Sequence, residues 1–265
     1  MAGPSGGWTR LTPRMAEVAR RVVAEEGKAR EHVVVALSGA HAFGFPSPDS
    51  GLDLKAVHAA PSTAWLGLRP PQLSHDRDGT LEGVEIDYTS NEIGQVLEGV
   101  LKGNGSFLER LLGETVLAAS PELRGLAPLV RRALSRRFHR HYRGLAQRHL
   151  RELEQRPTVR GLLYVLRAAV TGTHLLRTGE MVVDVTALLA DYGLGKANEL
   201  VERKLAGEHV ELGAGELGRW KEPLSDLLAG LEVAAATSCL PDEPGNEPEL
   251  EEWLRSFRLS RLTPT

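Results

Sequence analysis

The apolar positions change period along the chain. In TPRMAEVARRVVAEEGKAR, residues Met15, Val18, Val22 and Val23 recur at helical spacing, with Thr12 as N-cap and Pro13 in the first turn. The β-branched run HVVVALSG follows and reads as a buried strand ending at Ser38 and Gly39. A Gly- and Pro-rich loop, GFPSPDSG, leads to a second strand, LDLKAVHA. The polar, proline-rich insert PSTAWLGLRPPQLSHDRDGT separates it from LEGVEIDYTS, whose alternation predicts a third strand. NEIGQVLEGVLKG then places Ile93, Val96, Leu97, Val100 and Leu101 on one helix face, with Ser90 as cap.

From about residue 121 the period is helical throughout, with candidate helices over 121–155, 157–178, 184–192, 196–206 and 214–238 and breaks carrying Pro or Gly. The pattern predicts an α+β fold: a mixed β-sheet unit with flanking helices over residues 10–120, a helical unit over 121–240, and an acidic, Pro-rich tail over 241–265.

Composition changes this picture little. At 265 residues the chain can bury a sizeable core, and a net charge of −3 says nothing about nucleic acid. One cysteine, Cys239, excludes a disulfide framework within the chain and fits a reducing cytosol. The opening MAGPSGGWTR lacks the basic start and apolar run of a secretory signal, and no stretch approaches the ~20 apolar residues of a membrane span. A cytoplasmic protein is the expectation.

The chemistry lies on the strands. Side chains two apart share a face, so Asp53 groups with Lys55, and Glu85 with Asp87. If these strands are neighbours, Asp53 and Asp87 converge. Paired carboxylates suit Mg²⁺ or Mn²⁺, hard ions that share their shell with substrate phosphates. Ahead of them, the Ser38–Gly39–Ala40 turn exposes backbone N–H groups that can cradle a phosphate. Together these fit metal-assisted phosphoryl or nucleotidyl transfer.

The run LSGAHAFGFPSPDSGLDLKAV resembles the signature of the polymerase-β-like nucleotidyltransferase superfamily, a Gly-Ser turn followed by an Asp-x-Asp strand. More narrowly it is similar to the RNA-ligase-associated nucleotidyltransferases. The likeness continues in VEIDYTSNEIGQVLEGVLKGNGSFLERLLG and in the helix RGLLYVLRAAVTGTHLLRTGE, which looks like that group's Lys-x-x-x-Tyr-x-x-Arg segment. The resemblance implies transfer of a nucleoside monophosphate to a hydroxyl acceptor with a divalent metal. By position, Gly39 and Ala40 match the triphosphate turn, and Asp53 matches the second metal-binding Asp. Asp87 matches the third acid, and Arg160 and Tyr164 match the residues facing the phosphates. Ser50 and Lys55 complete the candidate nucleotide-binding set.

Two positions depart from the pattern. Ala40 stands where the family has Ser, and Gly51 where it has the first Asp. Losing a bridging carboxylate costs about 10²–10⁴ in rate unless another acid substitutes, and Asp49 and Glu85 are the candidates. Gly51 also suits a left-handed turn on its own account. Asn104, in KGNGSF, reads as a helix C-terminal or turn residue.

Arg132, Arg136, Arg140 and Arg143 recur three or four apart, a stripe that suits either an RNA backbone or a solvated helix face. Three functions are in play: an active nucleotidyltransferase on RNA or another hydroxyl; a weakened relative that binds nucleotide or RNA; and a nucleotidyltransferase that modifies protein.

Overall fold

The computed structural model describes residues 6–262. Residues 1–5 of the stretch tested for a secretory signal, and the last three of the acidic tail, lie outside the described residues. In chain order the elements are α1 (Pro13–Ala29), β1 (Glu31–Leu37), α2 (Gly39–Phe43), β2 (Leu52–Ala59), β3 (Ser74–Leu81), β4 (Val84–Glu92), α3 (Ile93–Leu101), α4 (Gly105–Leu112), β5 (Val116–Ala119), α5 (Glu122–Arg132), α6 (Phe138–Gln155), α7 (Val159–Thr178), α8 (Asn198–Leu205), α9 (Glu216–Ala236) and α10 (Glu247–Leu259). The fold is mixed α+β.

Two compact units share them. The first comprises residues up to Gly39, Gly51–Leu134 and Pro244 onward; the second comprises Ala40–Ser50 and Ser135–Glu243. The sequence boundary near 121 therefore falls inside the first unit, which also takes in α5 and most of the acidic tail.

The first unit is built on a five-stranded sheet in the order β3-β4-β2-β1-β5. β1 lies antiparallel to β2 and β5, β3 lies antiparallel to β4, and β2 and β4 run parallel. The inner strand β1 buries Val33, Val34, Val35, Ala36 and Leu37, which is why its sequence is continuously apolar. α1 begins as its sequence predicts: Thr12 accepts from the Met15 N–H at 3.3 Å, and proline occupies the first turn. Its buried face is Met15, Ala16, Val18, Ala19 and Val22.

Three local expectations are corrected. The insert after β2 contains an edge strand, β3, whose paired residues run from Ser74 to Leu81. Glu92, not Ser90, caps α3, accepting from the Gly94 N–H at 2.6 Å. Ser90 is buried in β4 with its Oγ 2.8 Å from His58 Nδ1. Asn104 opens a helix rather than closing one, its Oδ1 accepting from Ser106 and Phe107.

The second unit centres on α7, which is buried along most of its length and packs against α6 and α9. Thr158 caps its start and Gly179, left-handed at φ 74°, ends it. The expected helix over 121–155 is two helices, α5 and α6, with the break at Ala133–Arg137. Neither Pro nor Gly marks that break. In the second unit, the Arg136 N–H bonds Pro241 O at 2.8 Å, a partner outside the helix. Of the expected helix over 184–192, only one 3₁₀ turn forms, Val185–Ala187. In the tail, Pro248 sits in the first turn of α10, where its missing N–H costs nothing.

Candidate functional site

Asp53 and Asp87 are register partners on the parallel pair β2 and β4. Partnered residues on adjacent strands project to the same face. The antiparallel pairing of β3 adds Asp78 opposite Asp87, so one row across three strands reads Asp53, Asp87, Asp78. The row on one side of it carries Lys55, Thr89 and Asp76. Arg77, the neighbour of Asp78, points the other way and pairs with Glu25 and Glu26 of α1, at 3.0 Å each. The acidic rows therefore occupy the face of the sheet away from α1. Asp78 carries no sequence signal, because its strand shows no apolar alternation.

Lys55 Nζ lies 2.7 Å from Asp87 Oδ1 and 3.3 Å from Thr89 Oγ1. Further along the same face, Arg110 of α4 donates to Asn91 Oδ1 at 2.6 Å and to the Ala56 carbonyl at 3.2 Å. Burial lowers its guanidinium to about 10, against the raising charges of Glu109, Asp76 and Asp87.

Gly39 is held against Asp53. Its φ is +59°, and a Cβ there would lie 1.8 Å from Asp53 Oδ2. The Ser38 N–H also donates to the Asp53 carbonyl at 2.9 Å. The turn and the acid strand are thus locked together, and only glycine permits it.

Gly51 is different. It is not among the positive-φ glycines, so a left-handed turn does not explain it. A Cβ at 51 would meet Glu85 O at 3.5 Å and Glu85 Cβ at 3.6 Å, ordinary contact distances. The position lies beside Glu85 and has room for a side chain.

In the second unit, Ala40 is buried and its carbonyl accepts from the N–H groups of Gly44 and Phe45 at 3.2 Å each. Asp49 and Ser50 face the end of α8. The Asp49 carboxylate accepts the Glu208 N–H, 3.1 Å to Oδ1. The Asp49 carboxyl lies below the usual range, with the hydrogen bond from Ser47 the main cause. Ser50 Oγ lies 2.9 Å from Glu208 Oε2.

Arg160 Nη1 pairs with Glu208 Oε1 at 3.0 Å, and its guanidinium lies 5.2 Å from the Tyr164 ring centroid. Tyr164 meets Phe43, Phe45 and His149 edge-on at 5.7, 5.8 and 5.2 Å. Arg167, three residues after Tyr164 and part of the motif quoted for this helix, stacks 3.9 Å over Phe43. The spacing of that motif could have found it.

The arginine stripe is divided, with Arg132 ending α5, Arg136 in the break between the helices, and Arg140 and Arg143 in α6. Arg132 pairs with Glu249, Arg136 with Asp242 at 3.0 Å, and Arg143 with Glu232 at 3.0 Å. Arg140 is exposed.

Among the described residues, no group of three or more His, Cys, Asp or Glu side chains is arranged to hold a metal ion. What the sheet offers is the hard-oxygen donor set of Asp53 and Asp87, which suits Mg²⁺ or Mn²⁺ in kind and is short of ligands in number. Among the described residues, no helix is long and apolar enough to cross a membrane.

A model of the RNA repair pathway DNA polymerase beta family matches residues 15–256. The chain is 26% identical over 157 residues to the uncharacterized protein MJ0002 of Methanocaldococcus jannaschii, covering 58% of this chain and 64% of the relative. The chain thus spans somewhat less than two thirds of that relative's length. A solved nucleotidyltransferase-like protein from Exiguobacterium sibiricum aligns at 12% identity with a TM-score of 0.34, over 95% of this chain and 82% of the other.

Proposed function

Because the chain belongs to the RNA repair pathway DNA polymerase beta family, we propose that it transfers a nucleoside monophosphate from an NTP to a hydroxyl of RNA, in the cytoplasm. Family membership supports nucleotidyl transfer in general. The observation that carries it is the pairing of Asp53 with Asp87, beside a glycine turn pressed against the Asp53 carboxylate.

In this reading the acceptor oxygen attacks the α-phosphorus, forming one P–O bond as the bond to pyrophosphate breaks. Asp87 takes the hydroxyl proton. The turn at Gly39 and Ala40, with Ser50, Lys55, Arg160 and Tyr164, binds the triphosphate. Asp53 and Asp87, supplemented by Glu85 or Asp49, would hold Mg²⁺ or Mn²⁺. When bound, the metal neutralises phosphate charge.

Gly51 favours a second reading, a weakened relative that binds nucleotide or RNA without fast transfer. Incubation with each labelled NTP, Mg²⁺ or Mn²⁺, and total RNA or protein as acceptor separates the two. Label on RNA supports transfer to RNA. Label on protein redirects the reading to protein modification. NTP binding without transfer supports the second reading.

A further inference from the structure

The loop between α2 and β2 is held from a distant part of the chain. Lys204 is fully buried, and its Nζ donates to Glu208 Oε2 at 2.6 Å, Ser47 Oγ at 2.7 Å and Ser50 Oγ at 3.4 Å. All three ammonium hydrogens therefore have acceptors, which is what a buried lysine requires.

Glu208 is equally well occupied. Its Oε2 accepts from Lys204, from the Ser47 hydroxyl at 3.0 Å and from the Ser50 hydroxyl at 2.9 Å, while Oε1 takes Arg160. Burial alone would push its carboxyl up. The hydrogen bonds of Lys204 and Ser50, with the charges of Lys204 and Arg160, outweigh burial and hold it below the usual range. The loop closes on itself as well, with Ser47 N–H to Ser50 Oγ at 3.0 Å and Ser50 N–H to Ser47 O at 3.0 Å. Pro46 and Pro48 fix φ at two of its positions. The chain leaves this lock at Ser50, and Leu52 is already the first residue of β2.

We propose that Lys204 and Glu208 are positioning residues for nucleotidyl transfer: they lock the Ser47–Ser50 loop of the second unit, which carries Asp49 and Ser50. The inference rests on the transfer reading above. It adds two residues more than 150 positions downstream of the loop. It also separates two roles. Lys204 and Ser47 hold the loop only, whereas Glu208 holds the loop and Arg160 together.

The test uses the full chain with Lys204→Met, Ser47→Ala/Ser50→Ala, Glu208→Gln and Arg160→Ala. Hydrogen exchange of residues 46–54 is measured beside steady-state transfer from labelled NTP. The double serine variant keeps the Lys204–Glu208 pair and guards against a Lys204→Met variant that fails to fold.

The lock predicts at least tenfold faster exchange of the loop in both of these variants, with α7 exchange unchanged. Positioning predicts that kcat falls at least tenfold in both, with KM for NTP within about twofold in Lys204→Met and raised in the double serine variant, which also removes the Ser50 hydroxyl from the triphosphate set. Arg160→Ala should raise KM, and Glu208→Gln should change both constants. Unchanged loop exchange in the double serine variant overturns the lock. Faster exchange with wild-type kcat overturns the positioning role. If the wild type transfers nothing from any NTP, the transfer reading fails and the positioning role fails with it, while the exchange data still decide the lock.

Discussion

Lys55 reaches from β2 to Asp87 on β4 and closes a cross-strand ion pair of 2.7 Å in the acidic row. Asp87 is half exposed and Lys55 much less so, a setting in which such pairs are worth about 0–1 kcal/mol. The lysine is thus a weak competitor for any cation that Asp87 binds. Lys55→Met should tighten Mn²⁺ binding in the absence of nucleotide, read by calorimetry, and weaken NTP binding by about 1.5–3 kcal/mol, the range for a hydrogen bond to a charged group. Asp87→Asn should abolish transfer with the fold intact. Transfer within twofold of wild type would remove Asp87 from the mechanism.

Gly51 has room for a side chain and no left-handed backbone to defend. Gly51→Asp should leave thermal stability unchanged within a few degrees, tighten Mn²⁺ binding and raise single-turnover transfer at least tenfold. If Glu85 or Asp78 already completes the donor set, the added charge gives no gain. In that case Glu85→Gln or Asp78→Asn alone should depress transfer. No effect from any of these three substitutions would show that the acidic rows are not a metal site.

Gly39 is the opposite case. Gly39→Ala meets a left-handed φ, which costs about 1–2 kcal/mol for a residue with a Cβ, and puts that Cβ against Asp53 Oδ2. Stability should fall by at least that amount in urea titration, and transfer should fall more than the stability loss explains. Wild-type transfer in this variant would show that the turn does not set the position of Asp53.

His58 is buried in β2, and burial, with the charges of His75, Arg30 and His32, lowers its imidazole from 6.5 to about 4. The unfolded chain therefore binds a proton that the folded chain refuses. Stability is fully present above about pH 6.5 and is lost as pH falls from there toward 4. His58→Asn, which keeps an acceptor or donor near Ser90 Oγ, should reduce the slope of unfolding free energy by up to about 1.4 kcal/mol per pH unit in that window. An unchanged slope would assign the acid sensitivity to other groups, His32 and His75 first.

If α6 carries RNA, binding should weaken steeply with salt, and Arg136→Gln/Arg140→Gln should flatten that dependence by about one to two in log–log slope. Arg136 also bonds the carbonyls of Leu240 and Ser238, so its loss should lower stability as well. Arg140→Gln alone separates the two effects. An identical salt slope in the double variant would return these arginines to the status of a solvated face.

What the sequence made legible was local. The unbroken Val33–Val35 run announces an inner strand, and the alternation of Val84, Ile86 and Tyr88 announces one with a single buried face and thereby puts Asp87 on the other. β3 escaped because an edge strand with charged residues on both faces has no apolar period to read. The α5–α6 break escaped because its stabilising partner, Pro241, is remote in sequence. The grip of Lys204 on Ser47 and Ser50 was illegible for the same reason: 157 and 154 residues separate the partners, and a lysine near a helix end looks like any solvated one. Asp49 and Ser50 were found as candidates, but their partner Glu208 was not.

The interleaving of the two units has a consequence for how the protein is made. α10 seats in the first unit, through Arg258 to Glu92 and Arg261 to Glu31 and Glu122. Yet it is translated after every segment of the second unit, which ends at Glu243. Every residue of the helical unit is therefore synthesised before α10, which the sheet unit needs. Glu92, capping α3 and buried, spends that interval without its arginine. The unit that begins second along the chain is thus the first to be complete in sequence, and the unit that begins first is the last.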